Sequence, residues 1–116
     1  NKMKKLLLIL LCVPMMFSCG DQSDDVNYKE MTDNGAIIID VRSESEFKKF
    51  SVDNSINIPL DNLNSIFNHI KDKNQVIITC CLSGKRSSKA KEILKSNGYK
   101  NVFNGGGWKE LEKKLK

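Results

Sequence analysis

Two short apolar runs, Ala36-Ile37-Ile38-Ile39 and Val76-Ile77-Ile78-Thr79, show no period-two alternation. A strand with one wet face alternates apolar and polar residues. A run that does not alternate fits a strand covered on both faces. The segments between the runs supply helices to do the covering. Tyr28-Lys29-Glu30-Met31 reads as a short opening helix, and Ser43-Glu44-Ser45-Glu46 matches a capping box that starts another, through Phe50. Leu60, Leu63, Ile66, Phe67 and Ile70 recur at helical spacing. Ser87 is placed as the N-cap of a further helix, with Ala90, Ile93 and Leu94 inward and Gly98 just past its end. Ile56-Asn57-Ile58 alternates and stops at Pro59, Tyr99 to Phe103 reads as a last strand, and Trp108, Leu111 and Leu115 line a terminal helix. Strands alternating with helices predict an α/β fold with a mostly parallel sheet. About 90 residues, from Val26 to Lys116, are enough for one modest core.

In such folds, sites form at the carboxyl ends of strands. Cys81-Leu82-Ser83-Gly84-Lys85-Arg86-Ser87 stands at such an end, between an apolar run and a helix. The turn aims backbone N–H groups at the Cys81 sulfur, with the positive end of the helix behind them. These surroundings favour the thiolate and make Cys81 the candidate nucleophile. Lys85 and Arg86 add two positive charges. Arg86 has two readings, bracing the loop or touching substrate; Lys85 reads first as an exposed lysine and second as a contact. Cys80 points to the opposite side of its strand and reads as a small core hydrophobe, with a resolving thiol as the alternative. His69 is the only histidine and no zinc-like spacing is present, so neither a metal nor a cofactor is expected.

The amino terminus has a different character. Lys2-Met3-Lys4-Lys5 is basic and Leu6 to Val13 is apolar. That is the layout of an export signal, and the apolar stretch is too short to span a membrane comfortably. Met16-Phe17-Ser18-Cys19 resembles a bacterial lipobox, which implies a signal at 1–18 and a lipidated Cys19. Residues 19–25 then form a polar tether reaching roughly 20 Å, and 26–116 form the domain. The expected location is the bacterial cell envelope, with the domain held at the membrane and facing the periplasm. Removing Lys2, Lys4 and Lys5, with no acid beside them, brings the net charge from +5 to +2. The basic character is therefore no argument for nucleic-acid binding. With Cys12 and Cys19 outside the domain, Cys80 and Cys81 leave no distant pair for a disulfide framework.

From Tyr28 to Leu111 the chain resembles a single-domain rhodanese. Asp40-Val41-Arg42-Ser43-Glu44-Ser45-Glu46-Phe47 resembles the family's early motif, with Ile56-Asn57-Ile58-Pro59-Leu60 at the matching distance. The segment 81–87 resembles the active-site loop. Tyr99 to Phe103, then Gly106-Gly107-Trp108, resembles the closing strand and its glycine turn. Phe50-Ser51-Val52-Asp53-Asn54-Ser55 departs from the family's Gly-His-Ile stretch, so no histidine assists there. The resemblance implies a rhodanese-like sheet of about five strands. It also implies a sulfurtransferase with Cys81 as catalytic residue and Leu82, Ser83, Gly84, Lys85, Arg86 and Ser87 as the substrate-binding loop. Asp40 and Arg42 read as scaffold, with Arg42 paired to Glu46.

Related phosphatase loops place five residues between cysteine and arginine; here Leu82, Ser83, Gly84 and Lys85 are the only four. A tetrahedral oxyanion needs a wider ring of N–H donors than one sulfur atom, so the loop favours a persulfide. The expected chemistry is covalent transfer of sulfane sulfur from thiosulfate or a persulfide to a thiol or cyanide. The expected partners are those small molecules, the membrane through Cys19, and a reductant protein. A non-catalytic binding module and a Cys80-Cys81 redox protein are the alternatives.

Overall fold

The computed structural model describes residues 26–116. The expected signal at 1–18 and the expected lipidation of Cys19 with its tether at 19–25 lie outside the described residues.

Helix α1 (Tyr28–Asp33) opens the domain and is capped by the Asn27 side chain. Strand β1 (Ile37–Asp40) follows, then α2 (Glu44–Lys49), where Ser43 and Glu46 make the expected capping box. Strand β2 (Ile56–Asn57) leads to a 3-10 segment at Leu60–Ser65, and only one turn of α-helix, α3 (Ile66–His69), completes that region. The periodicity predicted one helix here. Asn62, at φ −121° and ψ 24°, interrupts it, and asparagine is a weak helix former. Strand β3 (Val76–Cys81) runs into α4 (Lys85–Ser96), and β4 (Asn101–Gly107) runs into α5 (Trp108–Lys114).

The sheet has the order β2-β1-β3-β4 with all pairs parallel. The described residues hold four strands where the resemblance implied about five. Strand β4 also continues past Phe103 through the glycines, because Gly107 pairs with Cys81. Between Thr79 and Cys81 the pairing shifts by one residue, a bulge beside the candidate nucleophile.

Both faces are covered, as the isoleucine runs require. On one face Ile39, Ile77, Cys81, Ala90, Leu94, Tyr99 and Val102 pack with Leu63, Ile66 and Ile70. On the other, Ile38, Ile78 and Cys80 pack with Trp108 and Leu111, and Tyr28 and Met31 of α1 close over them. The split follows strand alternation: Ile77 and Cys81 go one way, Ile78 and Cys80 the other. The Tyr99 hydroxyl donates to the Ile70 carbonyl and ties α3 to the start of β4.

Candidate active site

Cys81 ends β3, and its side chain is almost fully enclosed, at 1% exposure. The backbone N–H of Gly84 donates to Sγ at 3.0 Å and that of Ser87 at 3.4 Å. Ser87 Oγ lies 3.5 Å from the sulfur. Burial opposes the charged form. The Ser87 side chain, with the N–H groups of Ser87, Gly84 and Ser83, outweighs it and brings the thiol pKa below its ordinary value.

Helix α4 begins earlier than the sequence predicted. Its cap is Gly84, at φ 101°, and Ser87 lies inside the first turn. The left-handed turn at Gly84 is what lets the chain double back and aim two N–H groups at one atom. Had Ser87 been the cap, its hydroxyl would have served the helix; instead it donates to Asn104 Oδ1 at 2.7 Å, beside the sulfur.

Asn104 was not singled out from the sequence. Its Oδ1 also accepts from the Gly106 N–H at 2.9 Å, and its Nδ2 donates to the Gly84 carbonyl at 3.3 Å. One side chain thus joins the loop, the glycine run and Ser87. The available signal was an amide between Phe103, where the last strand was expected to end, and three glycines.

Arg42 does not sit as predicted, whereas Arg86 takes one of its two readings. Arg42 pairs with Asp40, not Glu46: Nε and Nη2 reach the carboxylate at 3.0 and 2.8 Å, with both groups buried. A second Nη2 bond goes to the Phe50 carbonyl at 2.7 Å, and the guanidinium lies 4.9 Å from the Trp108 ring centre. Two residues of spacing past the strand end bring Arg42 back to Asp40, which an α2 partner does not match. Glu46 binds Arg86 instead, at 2.9 and 3.1 Å. The Arg86 hydrogen bonds and those of Ser43 hold the Glu46 carboxyl at about 2. Arg86 therefore braces the loop against α2. Lys85 is exposed and makes no ion pair among the described residues, while Leu82 projects outward at 60% exposure. His69 is exposed.

Cys80 is fully enclosed on the opposite face, next to Asp40 in the sheet register. Burial, then the Asp40 charge, pushes its thiol far up, so it stays protonated. Among the described residues no three His, Cys, Asp or Glu side chains cluster as metal ligands.

A parallel α/β sheet with a cysteine at the end of its inner strand, ringed by the N–H groups of a short loop, defines a class of cysteine-loop domains. The rhodanese-like domain family matches residues 24–114, and the chain belongs to it. Thiosulfate sulfurtransferase PspE of Escherichia coli K12 is 39% identical over 74 residues, covering 63% of this chain and 71% of that protein. A solved rhodanese with anions from E. coli matches at a TM-score of 0.63 and 38% identity, over 66% of this chain and 91% of that one. A rhodanese-like domain protein from Staphylococcus aureus matches at 0.64 and 28%, over 77% and 85%. The tRNA uridine(34) hydroxylase of Buchnera aphidicola is 34% identical, but the chain spans only 27% of its length. The family is that of rhodanese-type sulfurtransferases, and the α/β architecture is the one the sequence predicted.

Proposed function

We propose that this protein is a sulfurtransferase that carries sulfane sulfur on Cys81. The observation that carries the reading is the enclosed Sγ, with N–H donors from Gly84 at 3.0 Å and Ser87 at 3.4 Å. In the first step the Cys81 thiolate attacks the outer sulfur of thiosulfate or of a persulfide. The donor's S–S bond breaks, and its electron pair leaves with sulfite or a thiolate. The N–H groups of the 82–87 loop then hold the anionic persulfide, as they hold the thiolate. In the second step a thiol or cyanide attacks the outer sulfur and Cys81 thiolate is restored. The relatives' names support the reaction class. The Glu46–Arg86 pair supports sulfur over phosphate, since it occupies the arginine that would clamp an oxyanion.

The test is intact mass after thiosulfate treatment and desalting. A gain of one sulfur atom, reversed by reductant and absent in Cys81→Ser, supports the reading. No gain with thiosulfate or with any persulfide donor moves a binding module ahead of it.

The same proposal places the domain in the cell envelope, with residues 1–18 as signal and Cys19 as lipid carrier. The basic, apolar and cysteine-bearing order of residues 2–19 supports this. Palmitate labelling in bacteria that is lost in Cys19→Ser tests it. A reductant protein that keeps Cys81 reduced belongs to this setting.

A further inference from the structure

Arg86 follows the Cys81 loop, but its charge is already taken. Both of its terminal nitrogens bind the two oxygens of Glu46. Glu46 is fixed from behind, since Ser43 donates to Oε1 from its N–H at 3.1 Å and from its hydroxyl at 2.9 Å. The carboxyl, held at about 2, stays ionised through the neutral range, so the pair's charges cancel. On the loop, Lys85 is then the one cation without an ion pair among the described residues. Leu82, next to Cys81 in the chain, is apolar and 60% exposed.

We propose that Glu46 sets the charge of the sulfur donor: by neutralising Arg86 it selects a singly charged organic sulfane compound, a thiosulfonate or hydropersulfide, over doubly charged thiosulfate. This rests on the sulfurtransferase reading above. Coulomb attraction scales with donor charge, so a cation worth about threefold to a monoanion is worth about tenfold to a dianion. Removing one of two cations therefore costs thiosulfate more. The organic substituent of a thiosulfonate meets Leu82, where thiosulfate offers only oxygen. The step balances without an oxidant. Cys81 thiolate attacks the terminal sulfur of the thiosulfonate, a new S–S bond forms as the old one breaks, and the electron pair leaves with the sulfinate. Glu46 acts through Arg86 and is a positioning residue.

The test compares kcat/KM for thiosulfate and methanethiosulfonate, which differ by an oxide replaced with methyl, with cyanide as acceptor. Each value is divided by the donor's rate with a small free thiol, which removes leaving-group reactivity. The parent is expected to favour methanethiosulfonate. Glu46→Gln keeps the capping box and leaves the guanidinium charge uncompensated. It is expected to raise kcat/KM about tenfold for thiosulfate and about threefold for methanethiosulfonate, through KM. The gain should vanish in about 0.5 M salt and in Glu46→Gln/Arg86→Gln. Equal changes for the two donors overturn the proposal. So does a parent that favours thiosulfate, a result that needs no variant to fold. Transfer from neither donor overturns this inference, and a Cys81 that also gains no sulfur from persulfide donors overturns the sulfurtransferase reading with it.

Discussion

Cys80 and Cys81 are neighbours in the chain, both buried, and they belong to opposite faces of the sheet. Cys81 sits among N–H donors that lower its pKa, while Cys80 sits among apolar side chains and beside Asp40, which raise its own. The same strand therefore favours the thiolate at one cysteine and the protonated thiol at its neighbour, through alternation. Cys80→Ala should keep sulfur transfer within about twofold of the parent and cost about 1 kcal/mol for the small void it leaves. Cys81→Ser should abolish transfer with little change in stability. Steady-state assays and urea unfolding check both. A Cys80→Ala variant without transfer would favour the dithiol alternative.

The pH dependence of Cys81 follows from the sign of its shift. Its folded pKa lies below the ordinary cysteine value, so the thiolate persists to lower pH than in a free cysteine. Iodoacetamide should therefore reach its full rate at a lower pH than with a small thiol, and the rate should fall only below that shifted midpoint. Ser87→Ala removes the hydroxyl that accepts from the Cys81 thiol and, once the sulfur is ionised, turns its one hydrogen from Asn104 Oδ1 to Sγ, while leaving the backbone N–H. It should move the profile upward and slow alkylation at neutral pH roughly three- to tenfold. An unchanged profile would mean the backbone N–H groups alone set the pKa.

Much of this arrangement was legible in the chain, for identifiable reasons. The isoleucine runs dictated a sheet covered on both faces, and period-two alternation placed Cys80 and Cys81 on opposite sides of it. Ser43 and Glu46 announced α2 because a capping box is a contact three residues long. The partner of Arg86 was not legible. Glu46 lies forty residues away, and only the fold brings α2 to the loop. The same holds for Asn104 and Ser87, joined across seventeen residues by the turn of β4 into its glycines. Local rules gave Ser87 the role of helix cap, the usual place for a serine there. The left-handed turn at Gly84 moved the helix start and freed Ser87 for the sulfur.

The Asp40–Arg42 pair is a second site where chemistry and stability separate. Its side chains are 0% and 4% exposed, and Arg42 also anchors the Phe50 carbonyl and covers Trp108. Arg42→Ala leaves a buried carboxylate unpaired and should cost about 3–5 kcal/mol. Asp40→Asn leaves the guanidinium without its counter-charge and should cost a similar amount. If the pair is scaffold, whatever folded protein remains should keep near-parental transfer. Activity normalised to the folded fraction, from unfolding curves read beside the assay, separates scaffold from chemistry.

Gly107 pairs with Cys81 just after the bulge. A Cβ added there would stand 2.7 Å from the Leu82 carbonyl oxygen, closer than such contacts tolerate. The obstacle is backbone and cannot turn aside like a side chain, so Gly107→Ala must push the 82–84 segment outward. Gly84 and its N–H, 3.0 Å from the sulfur, lie in that segment. A small displacement there weakens the donors that favour the thiolate while the sheet and both cores stay in place. Gly107→Ala should thus lose at least tenfold in kcat/KM and raise the pH midpoint of Cys81 alkylation, with its circular dichroism unchanged. A variant with parental kinetics would show that the loop tolerates the shift, and that donor geometry around Sγ is not what limits the reaction.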